Sequence, residues 1–314
     1  SFRGAIGNNN AGQSNIAVVR SGAAGATVDW NLYGDNTYSG ATLLNGGRTQ
    51  LIDGGRLSGT SSIEISNATL LVTTGNITVE SVSLTDRIND AASFTLNGAM
   101  FQWRSRASLY STELLGAVTL GAGNSIIDFA EPGSNVNQSD VTFASFAQEA
   151  GQHGTVRFLN MDGNISALQR LFISNLNGVA TTNIGDGLVN NIIGGWATFE
   201  REFATYTPSQ GVAGLTNNGY AGYSPNTIFN GNATDNVRIL LPVAGSTTTL
   251  TADATLNSLN LQANTGATGS SVLDLGGKTL TLASGGLIAS PISTAASANS
   301  INIINSIAPR DDVF

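Results

Sequence analysis

Apolar residues in this chain alternate with polar ones for only about three to five residues before Gly, Asn or Asp breaks the run. A period of two puts one set of side chains on a single strand face, whereas a helix would need apolar positions three and four apart. The pattern recurs at Ile63-Glu64-Ile65, Leu70-Leu71-Val72, Ile77-Thr78-Val79, Val82-Ser83-Leu84, Phe94-Thr95-Leu96, Val118-Thr119-Leu120, Val141-Thr142-Phe143 and Val156-Arg157-Phe158. It resumes at Val237-Arg238-Ile239, Val272-Leu273-Asp274-Leu275, Leu280-Thr281-Leu282 and Ile301-Asn302-Ile303. Strands this short bury too little to stand alone and must stack against many others.

Sandwich strands run longer, and propeller blades carry periodic aromatic signatures that are missing here. Internal similarity favours stacked coils: Ser81–Leu84 is echoed by Ser93–Leu96, and Asn257–Leu261 by Ser271–Leu275. The expected fold is all-β, a single-stranded right-handed parallel β-helix (β-solenoid). Coils of roughly 20 to 25 residues would give on the order of twelve to fifteen turns and a rod about 60 to 70 Å long. Residues 183–236 carry Trp196, Phe199, Phe203, Tyr206, Tyr220, Tyr223 and Phe229, and are expected to form an aromatic-rich lateral insertion. That divides the chain into coils over 1–182, the insertion over 183–236 and further coils over 237–314. Within 145–172, Gln148-Glu149 and Ser166–Leu171 tolerate a helical turn.

Charged residues make up 11% of the chain against roughly 25% in ordinary soluble domains, and Ser, Thr and Asn supply the polarity instead. Disorder is a poor account of the Gly-rich composition, because 41% hydrophobic residues provide material for a core. The net charge of −8 comes with twelve Arg and one Lys, Lys278, and no basic stripe, which argues against nucleic acid as a partner. With no cysteine there is no disulfide or thiolate chemistry, a weak pointer to export before folding. No run of apolar residues is long enough for a membrane helix, and the opening Ser-Phe-Arg-Gly-Ala-Ile reads as a processed product or fragment.

The segment Asn36-Thr-Tyr-Ser-Gly-Ala-Thr-Leu-Leu-Asn-Gly-Gly-Arg-Thr-Gln-Leu51, continuing through Gly54-Gly-Arg-Leu-Ser-Gly-Thr-Ser-Ser-Ile63, resembles the autotransporter-associated β-strand repeat. Asn36 and Gly40 read as turn residues, Tyr38 as a packed corner, Leu43 and Leu51 as core, and Gly46-Gly47 as a tight bend. Arg48-Thr49 departs from the small-Leu step usual in that repeat. Gly194–Thr198 and Ala233–Arg238, leading into Leu273–Leu282, look like segments of the large surface proteins that carry such repeats. The resemblance implies a passenger or stalk exported by a Gram-negative-type bacterium to the cell surface or the extracellular space, with no catalytic residues. No translocating β-barrel of amphipathic strands is visible in the sequence.

The leading expectation is therefore a non-enzymatic structural protein, a stalk, fibre or coat subunit that self-associates through coil ends or lateral faces. The alternative is an adhesin that holds a surface glycan on exposed rings of the insertion, with Trp196, Tyr206, Tyr220 and Tyr223 as candidates. A polysaccharide lyase or hydrolase is the third reading, since β-helices host such enzymes where carboxylates share a face. Its candidates are Asp128 with Glu131, the run Glu200-Arg201-Glu202, Asp86-Arg87, and Asp235 with Arg238, the last two pairs readable equally as solvated surface ions. His153, the only histidine, reads as a surface turn residue. Gly185-Asp186-Gly187 is a faint echo of calcium-binding repeats, and neither a metal nor a cofactor is expected.

Overall fold

The computed structural model describes residues 3–8, 15–22, 29–73, 85–104, 110–129, 138–161, 169–241, 247–263, 270–291 and 300–306. It is an all-β solenoid of about 8 turns, with no helix among the described residues. The first strands are β1 (Val18–Ser21), β2 (Asp29–Leu32), β3 (Thr42–Ile52), β4 (Ser62–Thr73), β5 (Ser93–Asn97) and β6 (Met100–Arg104). They continue with β7 (Tyr110–Leu120), β8 (Asn124–Asp128), β9 (Gln138–Gln148), β10 (Thr155–Leu159), β11 (Gln169–Ile173) and β12 (Asn175–Leu176).

Each coil shows three faces, and the parallel ladder joins like positions of successive coils. On the first face one column runs Val18, Thr42, Ile63, Phe94, Val118, Phe146 and Leu176. On the second face another runs Trp30, Thr49, Leu70, Phe101, Ile127, Phe158 and Phe199. The third face begins as isolated bridges, Asp35 to Arg56 and Leu57 to Ile88, and becomes a full ladder where β7, β9 and β11 pair. Because strand side chains alternate, these columns point inward and form one apolar core. Phe146 lies at its centre, with ring centroids 6.0 Å from Phe143 and 5.8 Å from Phe158. Burying such a side chain is worth about 1.5–3 kcal/mol, so the stack is stabilised almost wholly from within.

The corner between the first two faces is closed in nearly every coil by a residue of positive φ: Gly46 and Gly47, Asn67, Gly98, Gly123, Gly151, then Asn177 and Gly178. Only Gly and Asn enter that region readily, which explains why these two punctuate the apolar runs. The expected bend at Gly46-Gly47 is thus one instance of a general device.

A second, smaller stack lies further along the chain. Next in sequence come β13 (Val179–Ala180), β14 (Ala197–Phe199), which extends the second face of the first stack, β15 (Glu202–Thr207) and β16 (Gly211–Gly214), and β17 (Asn236–Leu241) opens the second stack. It continues with β18 (Thr247–Thr249), β19 (Ala254–Ala263), β20 (Ser270–Asp274), β21 (Leu280–Pro291) and β22 (Ser300–Ile304). One sheet joins β17, β19 and β21, and the other joins β18, β20 and β22, around a separate core of Val237, Leu256, Leu259, Leu261 and Leu273.

Several expectations change. Coils are longer than expected: along the first-face column the steps from Thr42 to Ile63, Phe94, Val118, Phe146 and Leu176 are 21, 31, 24, 28 and 30 residues. About 8 turns at about 4.8 Å each account for only about 40 Å of stacking, divided between two stacks, in place of the longer rod expected. The similar segments Asn257–Leu261 and Ser271–Leu275 are not stacked on one another but lie on the two different sheets of the second stack. Gln169–Leu171 belongs to β11 and not to a helical turn, because Gln169, Leu171 and Ile173 alternate into the core; residues 166–168 lie outside the described residues. Leu43 faces outward and Leu44 is the core residue, since Thr42 must point inward to meet Tyr38 and Thr60. The alternations at Ile77–Val79 and Val82–Leu84 lie outside the described residues.

Candidate functional site

After β12 the ladder is interrupted. Asn177 and Gly178 turn the chain back so that β13 pairs antiparallel with β12, and a loop over 181–196 follows. Asp186 closes that loop by accepting hydrogen bonds from the Thr182 and Asn183 amides at 3.1 and 2.7 Å. These donors hold its carboxyl below the usual range, led by the Asn183 amide. Asp186, expected as a faint calcium echo, is therefore engaged as a turn former, and no cluster of three metal-ligating side chains occurs among the described residues. The chain returns to the second face as β14 on β10, then folds through β15 and β16 as an antiparallel meander over the end of the first stack.

The four aromatic candidates are distributed among three places. Tyr206 on β15 is only 4% exposed, and its hydroxyl accepts from the Ile173 amide at 3.3 Å. Tyr220 donates to the Gly211 carbonyl at 2.9 Å, and burial pushes its phenol up to about 12. The two rings line one cavity of about 220 Å³ together with Ile184, Leu188, Thr205 and Thr207. Trp196 packs on Phe146 at 5.7 Å and lines a more open groove of about 490 Å³ with Gln148, Asn177, Val179 and Leu188. Leu188 is common to the two. Tyr223 stands apart at the junction with the second stack, where its hydroxyl accepts from Asn260 Nδ2 at 2.7 Å and Arg238 lies over its ring at 5.1 Å. Burial and the nearby Glu202 carboxylate raise its phenol far above the usual value.

Leu188 and Ile184 were not singled out in the sequence. The available signal was two apolar residues flanking the turn Gly185-Asp186-Gly187.

The carboxylates raised as catalytic candidates are dispersed. Asp128 accepts from Gln102 and Asn160 at 2.8 and 2.6 Å, while Glu131 lies outside the described residues. Glu200 faces Arg157 at 3.6 Å and Glu202 faces Arg238 at 3.4 Å. Asp235 is held by Asn226 and Asn232, so it does not pair with Arg238. Arg87 is no solvated surface ion: it is 2% exposed, with its Nε donating to the Gly55 carbonyl at 2.6 Å. His153 is exposed in the turn before β10. Comparison with protein-family models, with curated proteins and with solved structures gives no match.

Proposed function

We propose that this chain is a non-enzymatic structural element of a bacterial cell surface, a β-solenoid stalk, fibre or coat subunit carried outside the cell. The observation that carries this reading is the unbroken parallel ladder from β1 to β12, in which the interior is filled by stacked apolar columns. Such a ladder adds stability coil by coil. The low charge of its surface and the absence of cysteine support export and close packing beside identical neighbours. The resemblance of Asn36–Ile63 to the autotransporter-associated repeat supports the surface location.

Electron microscopy of the purified chain, with protease shaving of intact expressing cells, tests this reading. Ordered filaments, sheets or isolated rods together with release of the chain by external protease are expected. A chain that stays inside the cell, or that shortens acidic or neutral polysaccharides in solution, overturns it.

A second reading is favoured by the paired cavities around Leu188: the solenoid displays the 183–236 segment as an adhesin for a surface glycan.

A further inference from the structure

Tyr206 and Tyr220, and across Leu188 from them Trp196, line two adjoining depressions at the end of the first stack. The geometry points to one two-part site for an uncharged oligosaccharide, its terminal ring in the Tyr206–Tyr220 pocket and its next rings along the Trp196 groove. This inference rests on the adhesin reading and specifies its ligand.

Two observations carry it. The first is size. At about 220 Å³ the pocket is smaller than the roughly 300–1,000 Å³ of sites that enclose a drug-sized molecule, so it has room for a single ring. The adjoining groove, at about 490 Å³, is longer and more open, as a chain leaving the pocket requires.

The second is charge. The polar groups lining the pocket are Asn191, Thr205, Thr207 and the two tyrosines, and no residue lining either depression is ionic. A uronate or sialate would enter without a cation to meet it and would lose its hydration, which is costly. A neutral sugar presents hydroxyls at its rim and C–H groups on its face. Those match amide and hydroxyl side chains set among aromatic and aliphatic ones.

The pocket is also built to stay open. Gly219 and Gly222 have φ of +89° and +76°, and a Cβ at Gly219 would lie 2.5 Å from Gln210 Nε2, so the rim is held by turns that larger residues disfavour.

The test uses the full chain and titration calorimetry with D-glucose, D-galactose, D-mannose, N-acetyl-D-glucosamine and an uncharged trisaccharide of each, against trigalacturonate as the anionic control. Two substitutions at exposed lining positions separate the parts: Ala221→Trp fills the pocket, and Val179→Trp fills the groove. The expected result is saturable binding of at least one neutral sugar, with the trisaccharide tighter than its monosaccharide. A221W abolishes both, whereas V179W weakens only the trisaccharide, by about tenfold, the worth of one ring contact. Both variants keep the wild-type melting temperature. Binding of trigalacturonate alone overturns the ligand class but leaves the adhesin reading intact. Binding of neutral sugars unchanged in A221W overturns the site, and no binding by any probe overturns site and adhesin reading together. None of these results affects the rods or filaments expected of the structural reading.

Discussion

The carboxylate of Glu113 accepts three hydrogen bonds from the backbone of another coil, at 3.0 and 3.1 Å from the Arg87 amide and 2.8 Å from the Ile88 amide. Glu113 is 4% exposed and Arg87 2%, so a side chain takes the place of a strand partner inside the third face. Burial is the largest influence and pushes the Glu113 carboxyl up from its ordinary 4.5 to about 7, while the two amides and the Arg87 charge pull it down.

The raised value makes stability pH-dependent. Between pH 4.5 and about 7 the folded chain holds the Glu113 proton more tightly than the unfolded chain does. Its contribution is therefore complete below pH 4.5, is lost as pH rises toward 7, and is constant above. The loss should be about 1–3 kcal/mol. Melting curves of wild type and Glu113→Gln at pH 5 and pH 8 isolate the effect, because Gln has no proton to lose. Wild type should fall relative to E113Q across that interval. A rise relative to E113Q would mean that the amides and Arg87 outweigh burial.

The glycines of one corner separate conformational cost from steric cost. Gly151 has φ of +79° with nothing within 4 Å of an added Cβ, whereas a Cβ on Gly154 would lie 1.9 Å from the Gly121 carbonyl oxygen. Gly151→Ala should cost about 1–2 kcal/mol from its left-handed backbone alone. Gly154→Ala must push two coils apart and should cost more than about 3 kcal/mol, among the larger single-residue effects. Chemical denaturation ranks them, and equal losses would refute the backbone overlap at Gly154.

These two glycines also show how far the sequence could be read. The period-two alternation was enough to establish a stack of short strands, since Phe94-Thr95-Leu96 and Val118-Thr119-Leu120 have inward and outward sides whatever their partners. Which strand sits on which was not legible, because coil length varies and each corner absorbs the difference; Asn257–Leu261 and Ser271–Leu275 look like stacked copies yet occupy two sheets. Parity misled at Leu43, where two leucines are adjacent and only the Thr42–Tyr38 contact decides which enters the core. Arg87 was hidden for a related reason. Next to Asp86 it resembles a surface pair, and its burial depends on Glu113, which is 26 residues away in the chain. The aromatic cluster at 183–236 was visible, but its division into a pocket, a groove and an inter-stack contact at Tyr223 depends on antiparallel turns that leave no periodic trace.

The last described coil of the second stack carries its inward columns into the open. Leu259 is fully buried but its ladder neighbour Leu287 is 45% exposed, and Leu273 is fully buried but its neighbour Ile303 is 40% exposed. Exposed strand edges with apolar side chains pair readily with other chains. If the structural reading holds and coils associate end to end, Leu287→Lys with Ile303→Lys should abolish concentration-dependent association in sedimentation. Association unchanged in the double variant would move the interface to a lateral face.

The two stacks are joined by asparagines. Asn257 Nδ2 donates to Asn236 Oδ1 at 2.7 Å, Asn236 Nδ2 donates to the Asn190 carbonyl at 2.6 Å, and Asn190 Nδ2 returns to Asn257 Oδ1 at 3.0 Å. Asn257 is fully buried and Asn236 3% exposed, so removing one member leaves its partners without water to replace it. Gly195 and Gly286 approach so closely beside this ring that a Cβ on Gly286 would lie 2.9 Å from the Gly195 Cα. Asn257→Leu should cost about 2–3 kcal/mol, an unsatisfied buried amide in addition to the lost hydrogen bonds. The loss falls on the joint, so hydrogen exchange should show the amides of β17, β19 and β21 opening at lower free energy while those of β7 and β9 keep wild-type protection. Uniform loss of protection in both stacks would instead mean that they unfold as one unit and that the asparagine ring is not what couples them.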